Sequence, residues 1–367
     1  MWVLTTQTYP YIFLRICTDD DQNDFNVNRF KKEVQIMKRS LTCFISCCLA
    51  IGIFFSANLA MSAAKITLNI ASLEPVGAPS TIAVQHFASL LAERSKGEIQ
   101  INPNPAGSLG AGLQIMEGVS TGTIDMVSMV LEWYAPFVKD INVYAMGFTF
   151  RDTDHFKAFL NNPVFADMRE QVLQKMQVKI LAANWISLPR VLVSKKPVSS
   201  PRDIANIKMR VPEIETYLKV WKGLGTSPTR VAWAEVYLAL KTGTVDAAEG
   251  PLDQIYATKF YEAAPHITLT NHLQQTFTVG INLARFNSLP KNAQDLIQAA
   301  ALESGEYYEK LVREKFQADK PKMVAAGAIF KEIDTRPFQQ MLAPVIQDSE
   351  ATGFWTKGLY QKVQDMK

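Results

Sequence analysis

From Lys65 onward the chain alternates between period-two and helical patterning, and it runs through that order twice. In "KITLNIA" the side chains of Ile66, Leu68 and Ile70 share one face, which predicts a strand. "STIAVQHFASLLAERSKG" predicts an amphipathic helix closed by Gly97. A strand "EIQINP", a helix "GLQIMEGVSTG" and a buried strand "TIDMVSMV" follow. The second run opens with strands "VKILAAN" and "RVLVSKK" and a short helix at "SSPRDI", where Ser200 caps and Pro201 takes the first helical position. It continues with strand "NIKMRVP", helix "EIETYLKVWKGLG", strand "SPTRVA", helix "AEVYLALKTG" and strand "TVDAAEG". This order predicts an α/β fold with two lobes of similar plan.

Each lobe contains the same helix-to-strand joint, Thr121–Asp125 and Thr242–Asp246, of the form Thr-Gly-Thr-(Ile/Val)-Asp. Gly122 and Gly243 are expected to supply the left-handed residue that ends each helix. Coincidence between two common helix stops is the plain alternative; the matched placement favours a duplicated plan. A helical stretch from Leu289 to Lys320 extends for about 45 Å at 1.5 Å per residue, enough to bridge two lobes. No flexible linker separates the halves, so several strands and this helix are expected to join them.

The first 64 residues read differently. "MKRSLTCFISCCLAIGIFFSANLAMSAAK" starts at Met37 with a basic pair, Lys38 and Arg39, continues apolar through Phe55 and ends in small residues. That is the pattern of a secretory signal peptide, with cleavage expected near Ala64 and export to the periplasm. A membrane anchor is the competing reading, but the apolar part is short of the roughly 20 residues of a span. The acidic stretch "TDDDQNDF" upstream does not fit a leader, so Met37 is read as the start and residues 1–36 as an upstream extension. All four cysteines (Cys17, Cys43, Cys47, Cys48) lie before the cleavage region. The mature chain then has no disulfide and no membrane anchor, and depends on its apolar core.

Several chemistries are excluded by pattern. The net charge is only +3 and no basic cluster marks a nucleic-acid surface. Histidines 86, 155, 266 and 272 show no metal-ligand spacing, so neither metal nor cofactor is expected. "AGSLG" at 106–110 approaches a nucleophile elbow but lacks a placed acid and histidine, and "WKGLGTSPTR" is no phosphate loop. What remains is Arg190 in "SLPRVLVSKKP" and Arg210 in "NIKMRVPE", both near strand ends, with Trp133, Trp185 and Trp233 in the neighbouring blocks. A guanidinium fork matches a carboxylate. Alone, each tryptophan reads as core and each arginine as a surface ion pair; together, in a two-lobed exported chain, they point to a cleft for an organic anion.

Three blocks carry a family resemblance: "GEIQINPNPAGSLGAGLQIMEGVSTGTIDM", the run from "KKPVSSPRDIANIKMRVPE" through "VAWAEVYLALKTGTVDAAEGPLDQIY", and the long helix after them. Over residues 65–367 the chain resembles the solute-binding subunits of tripartite ATP-independent periplasmic (TRAP) transporters, of the DctP type. The resemblance implies a hinge-closing binding protein, not an enzyme, that delivers a small organic acid to the membrane subunits of a TRAP permease. It implies a periplasmic-binding-protein-like fold with hinge strands, lobe I at 65–187 plus 276–315 and lobe II at 188–275 plus 316–367. It also implies that Arg210 pairs with the ligand carboxylate, that Arg190 assists at the cleft edge, and that Trp233 covers the ligand.

One position departs from the pattern. Where many members carry an asparagine, "VDAAEGP" has Gly250, which removes a polar anchor and is expected to open space. With Trp133, Trp185 and Trp233 nearby, an aromatic or bulky apolar acid is the expected ligand, with a sugar acid of uronate type as the alternative. Glu74, Glu132 and Glu213 are further polar contacts by position. Two other classes compete: an exported enzyme acting on a carboxylate, and a sensory receptor.

Overall fold

The computed structural model describes residues 65–367; the expected leader and upstream extension lie outside the described residues. Two sheets carry the architecture. The first contains β1 (Ile66–Ala71), β2 (Ile99–Asn104), β3 (Met126–Val130), β4 (Val178–Ile186) and β10 (Thr276–Asn282), ordered β2-β1-β3-β10-β4. The second contains β5 (Arg190–Ser194), β6 (Lys208–Val211), β7 (Ser227–Arg230), β8 (Ala247–Pro251), β9 (His266–Leu273) and β11 (Ile329–Glu332), ordered β11-β9-β5-β8-β6-β7. Strands β1, β2 and β3 run parallel and β10 runs antiparallel between β3 and β4. In the second sheet β8, β6 and β7 are parallel, and β5 is antiparallel to both β8 and β9.

The helices form where apolar spacing gives them one face to bury. In the helix Pro79–Arg94, Ala83, Val84, Phe87 and Leu91 are buried at three- and four-residue intervals against the first sheet. The two matched joints fold alike. Gly122 and Gly243 end their helices at φ 85° and 82°, a conformation that costs a Cβ-bearing residue energy. Beyond each, the Ile124 and Val245 amides reach back to the Gly118 and Ala239 carbonyls, both at 3.1 Å, and the chain enters β3 or β8.

The chain passes between the sheets three times. Residues 187–189 lead from β4 to β5, residues 274–275 lead from β9 to β10, and the 35-residue helix Lys291–Ala325 leads from β10 towards β11. That helix is longer than the pattern predicts and continues through Pro321, which costs it one backbone hydrogen bond. Its buried face, with Ile297, Ala301 and Tyr308, packs in one apolar cluster with Phe87, Leu181 and Phe277. A C-terminal strap adds a further link. Helix Arg336–Ala351 packs on helix Glu215–Gly223, and the segment after it returns to the 140–155 region. There Arg151 donates to the carbonyls of Gln364 and Met366 at 2.9 and 2.6 Å, and Asp140 accepts from the Thr356 amide at 2.7 Å.

Candidate functional site

The carboxyl ends of β1, β3, β6 and β8 converge, the place where open α/β sheets bind ligands. A cavity there is lined by Glu74 and Trp133 from the first sheet's connections, and by Arg190, Arg210, Tyr217 and Trp233 from the second. The inner chamber is small, about 30 Å³. A chamber of about 180 Å³ adjoins it, sharing Trp133, Arg210 and Trp233 and adding Glu213. The two chambers share one wall and together make the larger space.

Both arginines are buried, Arg190 at 5% and Arg210 at 2% exposure, so neither is the cleft-edge residue the sequence predicts. Arg190 opens β5 and turns onto Glu249 of β8. Its Nε donates to Oε2 and its Nη2 donates to Oε1 at 2.7 Å, a two-pronged pair. Its guanidinium also stacks 5.3 Å from the Tyr217 ring centre. Arg210, on β6, is held differently. Its Nε donates to the Val231 carbonyl at 2.9 Å and its guanidinium faces the Trp233 ring at 5.3 Å. Its Nη1 lies 3.7 Å from Glu249 Oε1, too far for a hydrogen bond, and has no hydrogen-bond partner.

The carboxyls divide into charged and neutral by environment. Burial works to raise the Glu249 carboxyl, but the Arg190 charge and contacts to His272 and Arg190 outweigh it and hold it at about 2. Burial pushes Glu74 up to about 8, against the pull of its own backbone amide and of Arg190. Burial likewise raises Glu132, whose Oε1 accepts from the Tyr217 hydroxyl at 2.8 Å and from Gln275 Nε2 at 2.9 Å. Arg190, Arg210 and Glu249, which meet one another, carry two positive charges against one negative, and Asp253, which burial raises only to about 6, adds a negative charge beside Glu74 at neutral pH. Burial depresses Arg210 to about 10, which still leaves it protonated. The unpartnered Nη1 of Arg210 is a buried cationic donor that an anion in the chamber could satisfy.

Of the residues singled out by sequence, the structure brings Arg190, Arg210, Trp133, Trp233 and Glu74 to the inner chamber. Glu213 lines the adjoining one. Glu132 stands one layer behind, against Tyr217. Trp185 is elsewhere. It is fully buried beneath the long helix, donating from Nε1 to the Ala301 carbonyl at 2.8 Å and stacking on Tyr308. Gly250 opens no space: a Cβ there would come within 3.0 Å of Trp233 Cη2 and 3.5 Å of Cζ3. The indole already fills the volume that the missing side chain frees, which removes the reason for expecting a bulky aromatic ligand.

Sequence reading missed Glu249, Tyr217, His272 and Gln275. His272 packs with Nε2 3.5 Å from Glu249 Oε2 and Nδ1 2.8 Å from Thr270 Oγ1, and burial lowers its pKa. One signal was available. Glu249 interrupts "VDAAEGP", a strand buried along its whole length, and a charge there requires a partner.

The family model for bacterial extracellular solute-binding protein, family 7 (DctP) matches residues 70–352. The chain belongs to the DctP family. Members of this family are the periplasmic substrate-binding components of TRAP transporters and work with a membrane permease; they are not enzymes. The 2,3-diketo-L-gulonate-binding periplasmic protein YiaO of Escherichia coli (strain K12) is 32% identical over 268 residues, 73% of this chain and 81% of that protein. A TRAP periplasmic solute-binding protein from Roseobacter denitrificans, solved with bound β-D-glucuronate, superposes with a TM-score of 0.77 at 29% identity, covering 82% of this chain and all of that one. A second, from Pseudomonas putida F1 with bound D-glucuronate, gives 0.76 at 26%, over 82% of this chain and 98% of that one. This DctP-family chain thus has the two-lobed fold with a long interlobe helix. No helix among the described residues is long and apolar enough to cross a membrane.

Proposed function

We propose that the protein binds a sugar acid of uronate type, holds its carboxylate on Arg210, and delivers it to a TRAP permease. The observation that carries this reading is the buried Arg210 Nη1 without a partner, beside an Arg190 that Glu249 already engages. The ligand's other contacts follow from the polar atoms around it. Glu74 Oε2 and Trp233 Nε1 are also buried and unpartnered on residues that line the chamber, an acid and a donor suited to neutral polar groups such as ring hydroxyls. An aromatic acid would leave them unpaired at a cost of about 1–3 kcal/mol each. Structural neighbours solved with glucuronate, and a relative named for binding diketogulonate, favour the same class.

Within this reading Arg190 and Trp133 complete the wall, Glu213 borders the outer chamber, and Glu132 and Gly250 shape the wall from behind. Lobe I is 65–187 plus 276–315 and lobe II is 188–275 plus 316–367, with the final strap reaching back to lobe I. Export runs through the signal peptide that starts at Met37 and is cleaved near Ala64. The test is a thermal-shift panel. Ligand at about 100 times its dissociation constant adds roughly 2.7 kcal/mol to stability. D-glucuronate and D-galacturonate are expected to raise the melting temperature more than phenylacetate or phenyllactate; the reverse order would replace the sugar acid by the aromatic one.

A further inference from the structure

We infer that Glu74 serves as an uncharged hydrogen-bonding acid in the site and restricts it to monoanions, rejecting acids that carry a second negative charge. The inference rests on the carboxylate reading above and adds the charge class of the ligand and the residue that sets it. Glu74 follows β1, lines the inner chamber together with both arginines, and is 8% exposed. Its Oε2 has no hydrogen-bond partner.

The charges around it leave no cation for a second anion. Arg190 is engaged twice by Glu249, so the guanidinium left for a ligand is that of Arg210. One carboxylate on Arg210 uses that guanidinium. A second would face Glu74 in a buried setting and stand close to Asp253. Asp253 is itself satisfied, accepting from the Leu188 amide at 3.0 Å, Gln254 Nε2 at 2.8 Å and the Tyr308 hydroxyl at 3.1 Å. The remaining titratable group on the inner chamber wall, Tyr217, donates its hydroxyl hydrogen bond to Glu132. In its acid form Glu74 offers one O–H donor and keeps acceptor capacity, which suits a hydroxyl and not an oxyanion.

The titration of Glu74 agrees with this placement. Burial pushes its carboxyl up to about 8, and Asp253 adds to the rise. Above that pH the side chain ionises, and a monoanion must then bind beside a buried carboxylate. Linkage makes its affinity fall as pH rises through about 8, steepening towards a limit of roughly tenfold per pH unit above it. Arg210, at about 10, is still charged through pH 9.

The experiment is calorimetric titration of the purified protein between pH 6.5 and 9 with two matched pairs, D-glucuronate with D-glucarate and phenylacetate with phenylmalonate. In whichever pair binds, the monoanion is expected to outbind the dianion by about 100-fold, the scale of one unpaired buried charge. Wild-type affinity for the monoanion should drop roughly fivefold from pH 8 to 9. Glu74→Gln, permanently neutral, should flatten that slope, with circular dichroism confirming its fold. A dianion that binds as tightly as its monoanion, or a Glu74→Gln slope equal to wild type, would overturn the inference. Discrimination confined to the aromatic pair would keep it and remove the sugar-acid reading instead.

Discussion

Arg190 and Arg210 approach the same carboxylate from the two strands that flank β8, yet their positions are not equivalent. Arg190 uses both prongs of its guanidinium on Glu249. Arg210 touches the same Glu249 only at 3.7 Å and keeps one buried nitrogen unpaired. A buried charge that is fully paired is satisfied within the fold; one that is half paired is, on the reading proposed above, where a ligand anion would bind. On the proposed reading the difference separates a residue that holds the site's shape from one that would hold its ligand, although the sequence offers both as arginines beside strand ends.

Substitutions can break this contrast. Arg190→Ala removes one partner of a buried pair and leaves Glu249 charged and uncompensated. It is expected to cost about 3–5 kcal/mol of folding stability, read as a lower denaturation midpoint. Arg210→Ala should leave the Arg190–Glu249 pair, and hence the fold, in place while costing about 2–5 kcal/mol of ligand binding. That corresponds to roughly 30-fold to several thousandfold in affinity. Arg210→Lys should recover only part of it, because a point charge cannot replace the planar fork. Equal stability losses in the two alanine variants, with equal affinity losses, would erase the distinction.

The pH dependence sharpens the same contrast. Glu249 is held at about 2 against an ordinary 4.5, so the stability it supplies is present above about pH 4.5 and is lost as pH falls through about 2. The loss is on the order of 3 kcal/mol. Melting temperatures measured from pH 5 to pH 2 should show this limb in wild type and not in Glu249→Gln. The smallest effect concerns the wall. Gly250→Ala places a methyl against Trp233 and should cost about 1–3 kcal/mol by overpacking, with a change in tryptophan emission. An alanine accommodated with neither change would mean that the indole does not fill that space.

The sequence makes local features readable and non-local ones obscure. The two Thr-Gly-Thr joints are local: a left-handed glycine ends a helix by geometry that its immediate neighbours determine, and both joints fold as read. The long helix was legible from its periodicity, but its end was not, because Pro321 marks a probable stop that tertiary packing overrides. The short helices between 141 and 176 and the C-terminal strap gave no strong pattern, since their burial depends on partners distant in the chain. Within the site, Arg210 and Trp233 could be picked out by residue type. The status of Trp185 could not: whether an indole faces a cavity or the underside of a helix depends on which face of β4 the long helix covers. Gly250 misled for the same reason, because space left by one residue is space a distant one can occupy.

The central claim is that a carboxylate charge meets the free edge of Arg210. Calorimetric titration of D-glucuronate against D-glucuronamide at pH 7 tests it directly, since the two differ in that charge and share the ring. The account predicts that the acid binds and that the amide is weakened by roughly 30-fold or more, the low end of the cost of a lost buried charge pair. Equal affinities for acid and amide, in a protein whose fold is intact, would contradict it.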